Sequence, residues 1–255
     1  MKKLLTKNNY PKDKVERLDS MMPDSEKLKH DESEHHKYPT QKFRPKNKYY
    51  FGTYNIDFLI QVGKLKQIRA ELKRLKISVM GLQETRYTDT EALESGDFKI
   101  YKGPPDKKIM RGMPHLGTAF IVDKKFLNTV VGFKEVSSRL SLLTKKYTTI
   151  NAHAPINEDN KKNSEKVEQF WEILEKEMIK IPQNHVKILL GDYNAQIGKE
   201  KRYNNIVGEY PAHKWTNRNG ERLVQLCKIS DLKLMLTHYR TKPVRKRRGF
   251  PLTTP

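Results

Sequence analysis

The sequence predicts an α/β fold over residues 49–255. Three observations carry that prediction. Short apolar runs of strand character alternate with longer stretches of helical period. Several of the short runs end in an amide or carboxylate, the placement of ligand groups in α/β sheets. A chain of 255 residues is long enough for one large domain with a sizeable core.

Residues 1–48 come first and read differently. They are rich in Lys, Asp, Glu and His, with scattered apolar residues and no lasting period, which predicts a disordered basic and polar tail. His30, His35 and His36 there fit solvated tail histidines, with a weak metal-binding tract as the alternative. From Tyr49 the pattern changes. YYFGTYNI is a short strand-like run. Leu65, Ile68, Leu72 and Leu75 then recur at spacings of three and four, which predicts a helix with one apolar stripe and Lys and Arg opposite. ISVMGLQE is short and apolar, a buried strand; GTAFIV (117–122) and YTTINAHAP (147–155) also read as strands.

The clearest helix covers residues 163–181. Ser164 stands as its N-cap, Val167, Trp171, Leu174, Met178 and Ile181 share one face, and Pro182 stops it. VKILLGDYN (186–194) is a further buried strand running into a polar tip, and TNRNGERLVQLCKISDLKL is a polar turn followed by a helix. There is no internal repeat. Neither GxGxxG nor GxxxxGK[ST] occurs, so nothing supports a dinucleotide site or a P-loop.

Charge narrows the class of partner. The formal net charge is +21, from 51 Lys and Arg against 30 Asp and Glu. Residues 1–48 hold 13 basic and 8 acidic residues, so the positive charge belongs mainly to the domain. Such a field attracts polyanions, above all nucleic acid, through phosphate contacts and counterion release. Cys227 is the only cysteine, which excludes an internal disulfide and a cysteine-based zinc site and fits a reducing compartment, nucleus or cytosol. Its apolar neighbours mark it as a buried core thiol. No run is apolar and long enough for a membrane span, and MKKLLTKNNYPKDK has no h-region, so the chain is not expected to be secreted.

Polar groups close the strand-like runs: Tyr54-Asn55-Ile56-Asp57, Gln83-Glu84, Asn151 and His153 just before Pro155, and Gly191-Asp192-Tyr193-Asn194. Oxygens converging at strand ends suit a hard cation such as Mg²⁺, which takes few carboxylates and keeps waters for a phosphate. Each residue alone also has a plain structural use. Glu84 suits an exposed carboxylate opening a loop, Asp192 and Asn194 an Asx turn, His153 a core histidine with a satisfied ring, and Asn55 a partner of backbone groups. Their occurrence together, each at a strand end, favours a site.

TYNI, LQETR, GTAFIV, NAHAP, LGDYNAQIG and TNRNGERL, in this order, resemble the endonuclease/exonuclease/phosphatase superfamily. They are similar above all to the endonuclease domains of non-LTR retrotransposons and to the craniofacial development protein 2-like proteins derived from them. The likeness runs from about Phe51 to Leu236. GDxN alone is weak; QE followed by GDxNA, after an earlier TxN, makes it specific. The resemblance implies a four-layer α/β sandwich, two packed mixed sheets flanked by helices. It also implies a Mg- (or Mn-) dependent phosphodiester hydrolase acting on DNA. Glu84 then matches the carboxylate that binds the metal, and Asp57 falls where some members place another. Asn55 matches the amide beside the metal and phosphate. Asp192 matches the carboxylate that orients and deprotonates the attacking water, and Asn194 the amide on the scissile phosphate.

Three departures qualify the likeness. His153 stands where the family has a tyrosine, and Ile156 where it has an asparagine, with Asn157 one place on. The chain runs LTHYRTKPVRKRRGFPLTTP and ends before the family's SPDG-like segment, QIDHI-like strand and final Asp-His pair; His238 does not take that histidine's place. The expectation is therefore a sandwich lacking its last strands, with an exposed sheet edge. RKRR reads as a solvated basic segment or as a nuclear localisation signal. Two further readings remain open: a catalytically impaired, retroelement-derived pseudoenzyme that at most binds nucleic acid, and a small-molecule phosphatase, which the basic domain disfavours.

Overall fold

The computed structural model describes residues 2–4 and 48–240, apart from 60, 107–108, 111–112, 146 and 158–160. The tail assigned to residues 1–48 lies outside these, with two exceptions. Lys48 is described, and Lys2–Leu4 form a strand, β1. Three residues are too few for a period to be read.

The domain elements run in this order: β2 (Phe51–Asn55), α1 (Lys64–Leu75), β3 (Val79–Gln83), β4 (Leu93–Ser95), β5 (Phe98–Lys102), the two-residue strands β6 (Ile109–Met110) and β7 (Met113–Pro114), β8 (Thr118–Asp123), β9 (Gly132–Ser137), β10 (Leu140–Thr144), β11 (Tyr147–His153), α2 (Lys161–Ile179), β12 (Val186–Asp192) and α3 (Arg218–Ile229). They build two mixed sheets, one of order β1-β2-β3-β8-β5-β4 and one of order β12-β11-β10-β9. β2 with β3 and β11 with β12 are parallel pairs; the remaining pairs within the two sheets are antiparallel.

Burial explains the layering. In β3, Met80 and Leu82 face α1, where Ile68 and Leu72 are buried against them. Val79, two positions from Gly81 and four from Gln83, faces the other sheet and packs with Phe51, Phe120, Val122, Leu143, Ile188 and Leu190. That is the period of two expected of a strand covered on both faces. On the outer face of the second sheet, Val167, Trp171 and Leu174 of α2 and Leu223 and Val224 of α3 bury Leu140, Leu142, Ile150 and Ala152. The result is the four-layer α/β sandwich, helix on sheet on sheet on helices. Burial of each large apolar side chain contributes on the order of 1.5–3 kcal/mol.

Val167, Trp171, Leu174 and Met178 form the buried face of α2 as read from the sequence, but the helix ends at Ile179 and Ile181 is buried just beyond it; Trp171 donates from Nε1 to Asn219 Oδ1 at 3.0 Å. Ser164 is not the N-cap: the helix starts at Lys161, and Ser164 Oγ accepts from Arg218 instead. In α3 the cap is Asn217, whose side chain accepts from Gly220 N. Cys227 is buried, as expected, and burial pushes its thiol up to about 12. Among the described residues, β12 has no strand on its outer side, and no helix is long and apolar enough to cross a membrane.

The layer between the sheets changes character along its length. One end is the apolar cluster around Phe120. The other is polar: Gln83 Nε2 donates to Asn151 Oδ1 at 2.5 Å, Asn151 Nδ2 donates to the carbonyls of Leu82 and Ala119 at 2.9 Å each, and Thr118 Oγ1 meets Ser141 Oγ at 3.0 Å. Asn151 is wholly buried. Gly81 leaves the room it needs, since a Cβ there would lie 2.9 Å from Asn151 Oδ1. Beyond this polar seam the sheets open into a cleft.

Candidate active site

The cleft has a volume of about 170 Å³ and is lined by Asn55, Glu84, His115, Leu116, Arg139, His153, Ala154, Ile156, Asp192 and Asn194. Two parallel strand pairs deliver its chemistry. Asn55 ends β2 beside Gln83, so Glu84 emerges next to it; His153 ends β11 in register with Asp192 at the end of β12. Asn55 and Glu84 thus come from one sheet, and His153, Asp192 and Asn194 from the other.

Asn55 ties the two halves together. Its Nδ2 donates to Glu84 Oε1 at 2.7 Å and to Asp192 Oδ2 at 3.3 Å. The other Asp192 oxygen accepts from Asn194 N at 3.0 Å, so Asp192 and Asn194 do form an Asx turn, and that turn aims the carboxylate. Asn194 Nδ2 donates to Ala154 O at 2.8 Å, and its backbone carbonyl accepts from Asn217 Nδ2 at 3.1 Å. Asp57 does not line the cleft. Its carboxylate pairs with Arg86 at 2.8 Å on the rim, and Arg86 stands 3.7 Å from Glu84.

The backbone here is strained. Among the described residues, Glu84 (φ 56°), Asn194 (φ 46°), Asp57 (φ 45°), Phe58 (φ 75°) and Arg86 (φ 56°) are non-glycine residues in the left-handed region. Such conformations cost on the order of 1–3 kcal/mol each and persist where surrounding bonds fix them. Phe58 N to Glu84 O at 2.9 Å and Arg86 N to Leu116 O at 3.1 Å are two such bonds. Gly191 does the same for Asp192. Its φ of 147° and a backbone approach that would put a Cβ 2.1 Å from Ala152 O admit only glycine before the carboxylate.

His153 is buried, with Nε2 3.6 Å from Glu84 Oε1 and Nδ1 without a hydrogen-bond partner among the described residues. Burial first, then the Arg139 guanidinium, holds its imidazole below the usual histidine range, against the pull of Glu84 and Asp192. It therefore sits neutral at pH 7. Arg139 donates to His153 O at 3.0 Å; burial lowers its pKa, yet a guanidinium remains charged. His115 and Arg139 escape the sequence reading. Arg139 sits between two strands, β9 and β10, that carry no clear period, and His115 lies in a turn without a motif. The strand-ending pattern finds only residues on recognised strands.

The donor set is two carboxylates and two amides within reach of one another, with a neutral histidine and one half-buried guanidinium beside them. Two carboxylates held on one amide concentrate negative charge, and hard oxygen donors fit a divalent cation that retains waters. No cluster of three or more His, Cys, Asp or Glu that could hold a metal ion stands among the described residues; of the groups present, Glu84 and the amide oxygens would be the hard donors open to such a cation.

The family model described as "Endonuclease/Exonuclease/phosphatase family" matches residues 52–222. The chain belongs to this family. Members are phosphodiesterase-type hydrolases, generally dependent on a divalent metal. Two curated relatives are craniofacial development protein 2 from Bos taurus, 26% identical over 215 residues and 82% of this chain, and from Tragulus javanicus, 26% identical over 217 residues and 82% of this chain. The chain spans about a third of their length, 34% and 35%. Among solved structures it is similar to an AP endonuclease from Archaeoglobus fulgidus (14% identity, TM-score 0.47) and to a 3′ phosphatase from Neisseria bound to product DNA hairpin (17% identity, TM-score 0.47). Each comparison covers 69% of both chains.

Proposed function

We propose that this chain is the phosphodiester hydrolase domain of a retroelement-type, Mg²⁺-dependent nuclease acting on DNA. One observation carries the reading: Asn55 holds Glu84 and Asp192 together at the mouth of a cleft that Arg139, His153 and Asn194 complete. Asp192 takes the proton of an attacking water as its oxygen bonds to phosphorus. Asn194, Arg139 and neutral His153 hold the phosphoryl oxygens while the bond to one ester oxygen breaks, and that oxygen leaves with the bonding pair and takes a proton from solvent water. Glu84 would hold Mg²⁺ (or Mn²⁺), which would supply neutralisation of charge on the phosphate. The domain's basic surplus supports a nucleic-acid substrate. The single cysteine and the RKRR sequence support a nuclear or cytosolic setting.

The test is relaxation of supercoiled plasmid by the purified chain with Mg²⁺. We expect nicking that disappears with Glu84→Gln or Asp192→Ala; equal nicking by wild type and Asp192→Ala would sink the reading. The catalytically impaired, nucleic-acid-binding alternative is favoured by one observation, the buried His153 ring whose Nδ1 has no hydrogen-bond partner among the described residues, where the family has a tyrosine. Under that alternative His153→Tyr raises nicking; under the main reading it does not.

A further inference from the structure

The two tryptophans occupy opposite environments. Trp171 is fully buried, whereas Trp215 is 66% exposed. Trp215 rides on the connection 208–217, just ahead of α3, and that connection is firmly tied. Thr216 donates from its N and from Oγ1 to the Glu200 carboxylate, at 2.8 Å each, and Thr216 Oγ1 accepts from Gly198 N at 3.0 Å. Asn217 N donates to Gln196 O at 3.2 Å, and His213 N to Ile197 O at 3.3 Å. A Cβ on Gly198 would come within 2.7 Å of Trp215 Cα, so the two segments touch backbone to backbone.

This scaffold leads directly into the cleft. Asn217, two residues beyond Trp215, bonds to Asn194, and Gly198 lies four residues after Asn194. Four residues span at most about 14 Å, the length of a few nucleotides at roughly 3.4 Å per step of a strand. His213 and Lys214, which precede Trp215 in the chain, are exposed, as is Lys199, which follows Gly198; neither lysine has an ion pair among the described residues. Tyr210 is 44% exposed on the same connection. A large ring fixed on rigid backbone among exposed cations is the construction of a base-stacking platform.

We propose that Trp215 stacks on a nucleobase of the polynucleotide whose phosphate enters the cleft, with Lys199 and Lys214 on the adjoining phosphates. The proposal rests on the nucleic-acid reading above. Every base has a π-face, so the contact adds affinity without sequence preference, and it favours unpaired bases, whose faces are open.

The chain carries its own probe, since stacking quenches Trp215 and leaves Trp171 unchanged as a reference. The full chain, free of divalent cations so that nothing is cut, is titrated with a single-stranded oligonucleotide, an abasic strand of equal length, and heparin. The oligonucleotide quenches the red-shifted, acrylamide-accessible emission; the abasic strand and heparin do not. Trp215→Ala weakens the base-bearing strand about 5- to 100-fold and leaves heparin within about twofold, and Trp215→Phe restores most of the loss. An unchanged Trp171 spectrum confirms that the variants fold. Tight oligonucleotide binding with silent Trp215 emission, or equal losses on all three polyanions, overturns the stacking role while nucleic-acid binding stands. Failure to bind any oligonucleotide at low salt removes the nucleic-acid reading and the stacking role together. Trp215 shielded from acrylamide before any strand is added also overturns it, because the ring is then covered by protein.

Discussion

Asn151→Ala tests how the two sheets are held at the cleft end. The amide makes three buried hydrogen bonds, one from Gln83 and one to each of two carbonyls on the opposite sheet. Each is worth about 1 kcal/mol net, so the substitution should cost about 3–4 kcal/mol, a large share of a typical stability of about 5–15 kcal/mol. Guanidinium unfolding followed on Trp171 emission measures this, provided that Trp215 is first replaced by Phe. Asn151→Asp sharpens the test. It keeps the shape but sets a carboxylate against two carbonyl oxygens. Burial and that contact raise its folded pKa above the unfolded value of roughly 3.9. The deficit should therefore be small below about pH 4 and grow as pH rises through the folded pKa. A loss under about 1 kcal/mol for the alanine variant, with a flat pH profile for the aspartate, would refute the seam and leave apolar packing alone in charge of sheet docking.

Three other outcomes are expected. Gly191→Ala should lower stability by more than about 3 kcal/mol or abolish soluble protein, because its Cβ meets Ala152 O and its φ is one that L side chains rarely adopt; an unchanged unfolding midpoint would contradict this. Asn55→Ala should cut nicking about 100-fold or more while leaving the circular-dichroism spectrum intact, since it removes the group that positions both carboxylates. Lys145, buried against Phe126 and Tyr147, has its ammonium pushed down to about 7 by burial. Between pH 7 and roughly 10 the unfolded chain then holds one more proton, so stability should climb with pH by up to about 1.4 kcal/mol per unit. Lys145→Met should remove that slope and gain most at low pH, which paired unfolding curves at pH 6 and 9 would reveal.

Period and punctuation make part of this molecule legible in its sequence. The stripe of α1, the buried face of α2 and the strands ending at Asn55, Gln83, His153 and Asp192 all carry apolar runs of defined spacing, and the site residues that close those runs can be read together. Other parts carry no such mark. β9 is half exposed and β4 largely so, and the bulge between Leu140 and Ser141 breaks the alternation of β10; Arg139, which depends on that hairpin, is hidden with it. The helix start at Lys161 is not legible because Ser164 has cap chemistry but makes a tertiary contact instead. Asp57, a candidate for its nearness to Asn55, turns to Arg86, a partner that only the fold supplies. Asn151 shares the strand-end pattern, yet it is the interior tie two places short of the cleft.

Asn55 and Glu84 belong to one sheet, and His153 and Asp192 to the other, which makes the cleft a thermodynamic gauge of the whole sandwich. Anything that binds across it favours the docked sheets over the separated ones, by RT ln(1 + [L]/Kd) when it has no affinity for the unfolded chain. The linkage runs both ways. A substitution buried far from the opening weakens apparent binding there once it depopulates the docked state, in proportion to the docked fraction that is lost. Cation and oligonucleotide affinities can thus be read as midpoint shifts on heating, before any strand is cut.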